Sequence, residues 1–187
     1  MMSDRGISDE QLLERFVKRK DRTALAALAQ RHERALLGLA GGLLGGRREL
    51  ACDAVQETWL RVIRYGLSFN GRSSFKTWLY RIVVNQCRNL HAARPPEPPT
   101  AEAAETVPLA APGPERNAEA VDQRQALRAA VASLTPEQRE IVLLCYHEHA
   151  THAQAAEILD IPVGTLKSRL HAALRELRGR LSRETDA

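Results

Sequence analysis

Residues 134–178, LTPEQREIVLLCYHEHATHAQAAEILDIPVGTLKSRLHAALRELR, hold the punctuation that decides the fold. Thr135, Pro136 and Gln138 supply a cap, a first-turn proline and a reciprocal side chain at the third helical position, so a helix begins there. It continues through REIVLLCYH. Thr151 and Gln154 repeat the capping spacing ahead of AQAAEIL. Asp160-Ile161-Pro162 then breaks the chain, and a longer helix starts near Val163. Its apolar stripe is Leu166, Leu170, Leu174, Leu177 and Leu181, spaced by three or four residues. A short helix, a tight turn and a longer helix with a basic exposed face form a helix-turn-helix.

Upstream of this block the composition changes. Seven of the nine prolines lie between Pro95 and Pro114, in a run of Ala, Glu and Pro with almost no large apolar residue. Such a run cannot bury enough surface to offset the entropy of ordering it. Residues 93–118 therefore read as an extended, flexible Pro/Ala-rich linker between an N-terminal domain, 1–92, and a C-terminal one, 119–187. In the N-terminal part, Ser8 and Gln11 have capping-box spacing ahead of LLERFVKRK. ALAALAQRHERALLGLA has helical periodicity and is expected to stop at the glycines of GGLLGG, with a third helix over roughly 50–65. Strand signals are weak, and runs such as RIVV fit within helical spacing. The fold class is all-α: two small helical domains, the second a helix-turn-helix.

The hydrophobic fraction of 44% excludes disorder throughout, and the net charge of +4 leans towards a polyanionic partner. No stretch approaches the ~20 apolar residues that cross a bilayer, and the first residues mix charges too early for a signal peptide. The chain is expected to be cytoplasmic and not membrane-inserted. Cys52, Cys87 and Cys145 are sparse and odd in number, which suits a reducing compartment. Cys145, His147, His149 and His152 lie close together in sequence, but they straddle a helix end and a cap. They are read as a partly core thiol beside histidines on an exposed turn, with no metal expected.

The basic charge is concentrated. Between Glu57 and Glu97 there is no acidic residue, while Arg61, Arg64, Arg72, Lys76, Arg81, Arg88 and Arg94 lie among Tyr65, Phe69, Phe75, Trp78 and Tyr80. Cations neutralise phosphates and aromatic faces stack unpaired bases, so the mixture suits single-stranded nucleic acid. The competing reading is that the aromatics are core and the arginines a solvated face. On a helix starting near Phe75, positions Trp78, Arg81, Asn85 and Arg88 share one face, with Leu79, Ile82, Val83 and Leu90 inward. The loop SFNGRSS before it is short and polar enough to take an extruded base. On the preceding helix, Asp53, Gln56, Glu57 and Arg64 form a two-signed face, while Val55, Trp59, Val62 and Ile63 are expected to pack. In the helix-turn-helix, Thr165, Lys167, Ser168, Arg169 and His171 occupy the half of the recognition helix that reaches base edges and phosphates.

These residues resemble a known family. DAVQETWLRVI (53–63) and SSFKTWLYRIVVNQCRN (73–89) are similar to region two of bacterial sigma factors of the extracytoplasmic-function class, and 134–178 to their region four. The resemblance implies an RNA polymerase specificity subunit that directs promoter recognition and transcription initiation in a stress or envelope response. It implies that Asp53, Gln56, Glu57, Arg61 and Arg64 dock core polymerase, a body that includes the beta and beta-prime subunits. It places Phe69, Asn70, Arg72, Ser74, Lys76, Trp78, Arg81, Asn85 and Arg88 on the melted minus-ten strand. Thr165, Lys167, Ser168, Arg169 and His171 would read the minus-thirty-five duplex. An anti-sigma partner is also implied. The chain departs from the family pattern at Cys52 and Asn89, where acids are common, at Ala92 and Ala93, where bases would contact phosphates, at Ala172, where an arginine would add a contact to the minus-thirty-five DNA, and at His149 and Ala155.

Two other classes compete. A stand-alone helix-turn-helix regulator would need no strand-binding face, and no sustained heptads supply a dimerisation helix. A recombinase-like enzyme would need a nucleophile with an activating cluster, for which Ser73 or Ser74 beside Arg72 is thin support. The expectation is a protein without catalytic residues, cofactor or small-molecule substrate.

Overall fold

The structure is a computed structural model that describes residues 6–93 and 118–185. Among these residues there are eight helices and no strand. Ala93 and Ala118 are themselves helical. The rest of the linker expected over 93–118, and Arg94 with it, lies outside the described residues.

Helix α1 (Asp9–Arg19) starts at a reciprocal cap: Gln11 N donates to Ser8 Oγ at 3.2 Å, and Ser8 N to Gln11 Oε1 at 3.0 Å. Acids in its first turn and bases in its last complement the helix dipole. It ends at Lys20 in the left-handed region, φ 56°. Asp21 then caps α2 (Arg22–Leu43), accepting from Thr23 N at 3.0 Å and Ala24 N at 3.3 Å. The Thr23 hydroxyl and the Arg15 guanidinium hold its carboxyl down to about 2.

Helix α2 stops within GGLLGG as expected, at the second of its two glycine pairs. The helix runs through Gly41 and Gly42 to Leu43, and the turn is made by Gly45 and Gly46, φ 68° and 84°. A helical glycine costs only ~1 kcal/mol relative to alanine. Burying Leu39, Ala40, Leu43 and Leu44 outweighs that.

Helix α3 (Arg48–Tyr65) leads through a 3-10 turn at Gly66–Ser68 into α4 (Phe75–Ala93). The start of α4 is tied to α1, because Phe75 N donates to the Glu10 carboxylate at 2.9 Å. That bond from the Phe75 amide holds Glu10 below the usual carboxylate range, against burial. Leu12, Leu28, Leu36, Val62, Phe75, Leu79 and Val83 are fully buried between the four helices. Ile63, expected to pack, is 48% exposed, because α3 turns it away from α2 and α4.

The C-terminal helices are α5 (Ala118–Ala132), α6 (Pro136–Val142), α7 (His152–Leu159) and α8 (Val163–Thr185). Capping boxes at Thr135/Gln138 and Thr151/Gln154 begin α6 and α7. The helix expected to continue through CYH widens instead into a π-helical turn, Leu143–His147, closed by His149 at φ 52°. Asp160, φ 57°, ends α7. On α8, Leu166, Leu170 and Leu177 are buried, with Leu174 and Leu181 packed at the core's edge.

The two sets of helices share one continuous apolar core. Helix α4 packs on α7, and α2 on the π-helical turn and α6. Arg139 sits in the seam, buried to 8% exposure. It donates to Val131 O at 3.2 Å, Leu134 O at 3.1 Å, Leu43 O at 3.3 Å and to Ala132 O. One guanidinium thus caps the end of α5 and the end of α2 together. Burial lowers its pKa, and Arg47 adds to this.

Candidate nucleic-acid interface

Three surfaces carry the residues singled out by sequence, and the folding of each explains what it exposes. On α3, Val55, Thr58 and Val62 are buried at helical spacing, which turns Asp53, Gln56 and Arg64 fully outward. Glu57 and Arg61 are half-exposed and pair at 3.4 Å across one turn. Asp53, Gln56, Glu57 and Leu60 border a groove of about 300 Å³ that Gln86 and Leu90 of α4 complete.

The second surface is the loop before α4 and the helix itself. Asn70 Oδ1 accepts from Arg72 N at 3.1 Å, and Gly71 takes φ 70°, so the loop is a tight polar turn with Asn70 and Arg72 exposed. Ser74 Oγ accepts from Thr77 N at 3.1 Å and caps α4. Phe69 and Trp78 are half-buried, with ring centroids 5.5 Å apart, and both lean on Phe75. Phe75 is fully buried and Tyr80 1% exposed, so these two aromatics belong to the core and present no face to a base. Lys76 is exposed, with its Nζ 5.1 Å from the Tyr80 ring centroid. Asn85 and Arg88 are exposed and Arg81 is half-buried. Ile82 is half-buried too, so the helix turns inward through Leu79, Val83, Val84 and Cys87. Burial, with Glu140 nearby, pushes the Cys87 thiol up to about 12, which keeps it protonated at neutral pH.

The third surface is the N-terminal half of α8. Burial of Leu166 and Leu170 presents Lys167, Ser168, Arg169 and His171 to solvent, with Thr165 half-buried beside them. Ser168 Oγ donates to Thr165 O at 3.0 Å.

Several members of the second surface are already engaged. Arg88 donates to both Glu140 carboxylate oxygens, each at 2.7 Å, and that bond raises its pKa. Arg81 donates to the backbone oxygen of Glu157 on α7. The Tyr80 hydroxyl donates to Glu148, which also pairs with His147 Nδ1 at 2.8 Å. Burial raises the Glu148 pKa, yet hydrogen bonds from His147 and Tyr80 outweigh it and leave the carboxyl below its usual value. Burial and the Glu148 bond push the Tyr80 hydroxyl far up.

His147 is therefore not on an exposed turn. Its ring packs against α2, where a Cβ on Gly38 would lie 2.9 Å from Cε1. His149 and His152 are exposed, away from it. The residues that sequence reasoning missed are Glu140, Glu148 and Arg139. Their only signal was position: charges placed where an amphipathic helix should be apolar.

Comparison with known proteins agrees with this arrangement. The model of Sigma-70 region 2 matches residues 28–94, and that of Sigma-70, region 4 matches 124–177. The chain is 31% identical over 176 residues to the ECF RNA polymerase sigma-E factor of Haemophilus influenzae, covering 89% of this chain and 92% of that protein. It is 32% identical over 174 residues to the RNA polymerase sigma-H factor of Pseudomonas aeruginosa, covering 88% and 89%. Among solved structures, CnrH in complex with the cytosolic domain of CnrY shares the fold at TM-score 0.71 and 22% identity, over 93% of this chain and 97% of that one. The sigma factor RpoE in complex with the anti-sigma factor NepR from Bartonella quintana does so at 0.61 and 24%, over 90% and 98%. With regions two and four in this order on an all-helical chain, the protein belongs to the extracytoplasmic-function class of RNA polymerase sigma factors, within the sigma-70 family.

Proposed function

We propose that this sigma factor divides its work among the three surfaces. Residues 1–92 dock core polymerase, with its beta and beta-prime subunits, through Asp53, Gln56, Glu57, Arg61 and Arg64. They hold the melted minus-ten strand with the loop from Phe69 to Ser74 and with Lys76, Trp78, Arg81, Asn85 and Arg88. Residues 119–187 read the minus-thirty-five duplex through Thr165, Lys167, Ser168, Arg169 and His171, and 93–118 link the two. The observation that carries the reading is the α8 face: a hydroxyl, two cations and an imidazole exposed on the N-terminal half of a helix-turn-helix recognition helix. The protein works in the cytoplasm without catalysis of its own, on promoter DNA and polymerase, under an anti-sigma partner. No described helix is long and apolar enough to cross a membrane.

The test is to add the purified protein to core polymerase and sequence transcript starts across genomic DNA. Starts at one shared promoter pattern, with weak duplex binding by the free protein, support the reading. Tight sequence-specific binding by the protein alone at physiological salt favours a stand-alone regulator instead.

A further inference from the structure

The surface around the loop before α4 is short of free aromatic faces. Phe75 and Tyr80 are core, and Phe69 and Trp78 each turn part of a ring onto Phe75. Among the chain's aromatic side chains only Tyr65 and Tyr146 are exposed, at 55% and 57%. Tyr146 lies on the π-helical turn of the C-terminal half. Tyr65 is the last residue of α3 and stands at the root of the loop. The backbone around it is fixed. Ser68 Oγ donates to Tyr65 O at 2.7 Å and Phe69 N to Gly66 O at 3.3 Å, so the chain leaving α3 folds back on the end of the helix. Gly66 is buried against α1, where a Cβ on it would lie 3.0 Å from Val17 Cγ2. The Tyr65 ring, in contrast, is open to solvent, and its hydroxyl has no hydrogen-bond partner among the described residues.

We infer that Tyr65 is a stacking platform for one unpaired base of the promoter strand, a contact beyond those of the proposed function that rests on that reading. The charge around the ring suits a polyanion. Arg64 is adjacent, Arg61 lies one turn earlier on the same side of α3, Arg72 is exposed in the loop, and no acid occurs between Glu57 and Glu97. Cations hold the phosphates of duplex and single strand alike, whereas only an unpaired base offers a free face to an aromatic ring. Tyrosine supplies that face with two rotatable side-chain bonds, so holding it against a base costs little entropy, and the pinned Gly66 keeps its root in place. The strand-binding surface thereby extends from the loop to the end of α3. A contact between Tyr65 and polymerase, beside Arg64, is the competing role, and it predicts a different loss.

The probe is a forked promoter DNA from a mapped transcript start, duplex upstream and single-stranded on the non-template strand through the minus-ten element. It is bound by the full chain reconstituted with core polymerase. Tyr65→Ala is expected to keep the melting temperature and co-purification with polymerase, and to weaken fork binding about tenfold, as for the loss of one stacked base. Tyr65→Phe keeps the aromatic face and should bind like the wild type, while Tyr65→Leu, apolar without that face, should bind like the alanine variant. An abasic site walked along the single strand should weaken the wild type and erase its advantage over Tyr65→Ala at one position. Equal fork binding by Tyr65→Ala and the wild type overturns the inference, as does an advantage that survives at every abasic position. Loss of co-purification in Tyr65→Ala gives the side chain to polymerase, and full binding by Tyr65→Leu reduces it to apolar packing; either result overturns the stacking. A wild-type holoenzyme that binds the fork no better than the intact duplex refutes the strand reading itself before any variant is compared, and the inference falls with it.

Discussion

At the scale of single residues, the charges inside the seam have the largest expected effects. Arg139 is held by four carbonyl oxygens from α2, α5 and the turn before α6. Arg139→Ala would leave those acceptors buried without a donor, and each costs ~1–3 kcal/mol when desolvated. A loss of about 3 kcal/mol or more in urea unfolding is expected, and a loss below about 1 kcal/mol would remove Arg139 from this structural role. Glu148 makes stability depend on pH. Tyr80 and His147 bond it, and Lys76 adds attraction; together they outweigh burial and depress its pKa below 4.5. Its contribution is therefore complete above that unfolded value and is lost as pH falls through the lower folded one. Between about pH 5 and about pH 3 the wild type should lose more stability than Glu148→Gln. Parallel loss in both proteins, read from urea midpoints against pH, would assign the acid sensitivity to other carboxylates.

At the scale of elements, α3, α4 and α8 should fail separately when their outward faces are changed. On α3, Gln56 and Arg64 are exposed, so replacing them with residues of opposite character should abolish co-purification with core polymerase while the helical spectrum is retained. Retained co-purification would move the docking face elsewhere. On α8, Arg169→Ala should weaken the first duplex complex by ~1–3 kcal/mol, and a premelted promoter bubble should not rescue it. On α4, Asn85→Ala should spare polymerase binding, impair opening, and be rescued by the same bubble. Permanganate footprinting on duplex and premelted templates separates the two, and identical defects on both templates would end the division of labour. Trp78 is a poorer probe, because it packs on Phe69 and Phe75 as well as facing outward. Most of these elements were legible in advance. Three capping boxes and the Asp160-Ile161-Pro162 break are local signals, and their hydrogen bonds form within a few residues of the sequence that encodes them.

At the scale of the whole molecule, the lesson is how one set of basic residues acquires two sets of partners. The acid-free run from Thr58 to Pro96 reads correctly as basic, but on α4 Arg88 and Tyr80 bond Glu140 and Glu148, each more than fifty residues away. Nothing local couples them. The same distance explains why α2 passes through its first glycine pair: the gain comes from leucines packing on other helices, and Gly38 leaves room for a histidine of the C-terminal half. It also explains Ile63, whose apolar character predicts burial while the packing of α3 against α2 and α4 leaves it outside.

The sequence by itself determined the helical class, the helix-turn-helix and the starts of α1, α4, α6, α7 and α8, because caps, breaks and periodicity act over one or two turns. Only the tertiary structure decided that Phe75 and Tyr80 are core, that Arg139 ties α5 to α2, and that α4 is folded against α7. Those outcomes depend on which surfaces meet and exclude water, a sum over contacts between residues distant in the chain that no local spacing encodes.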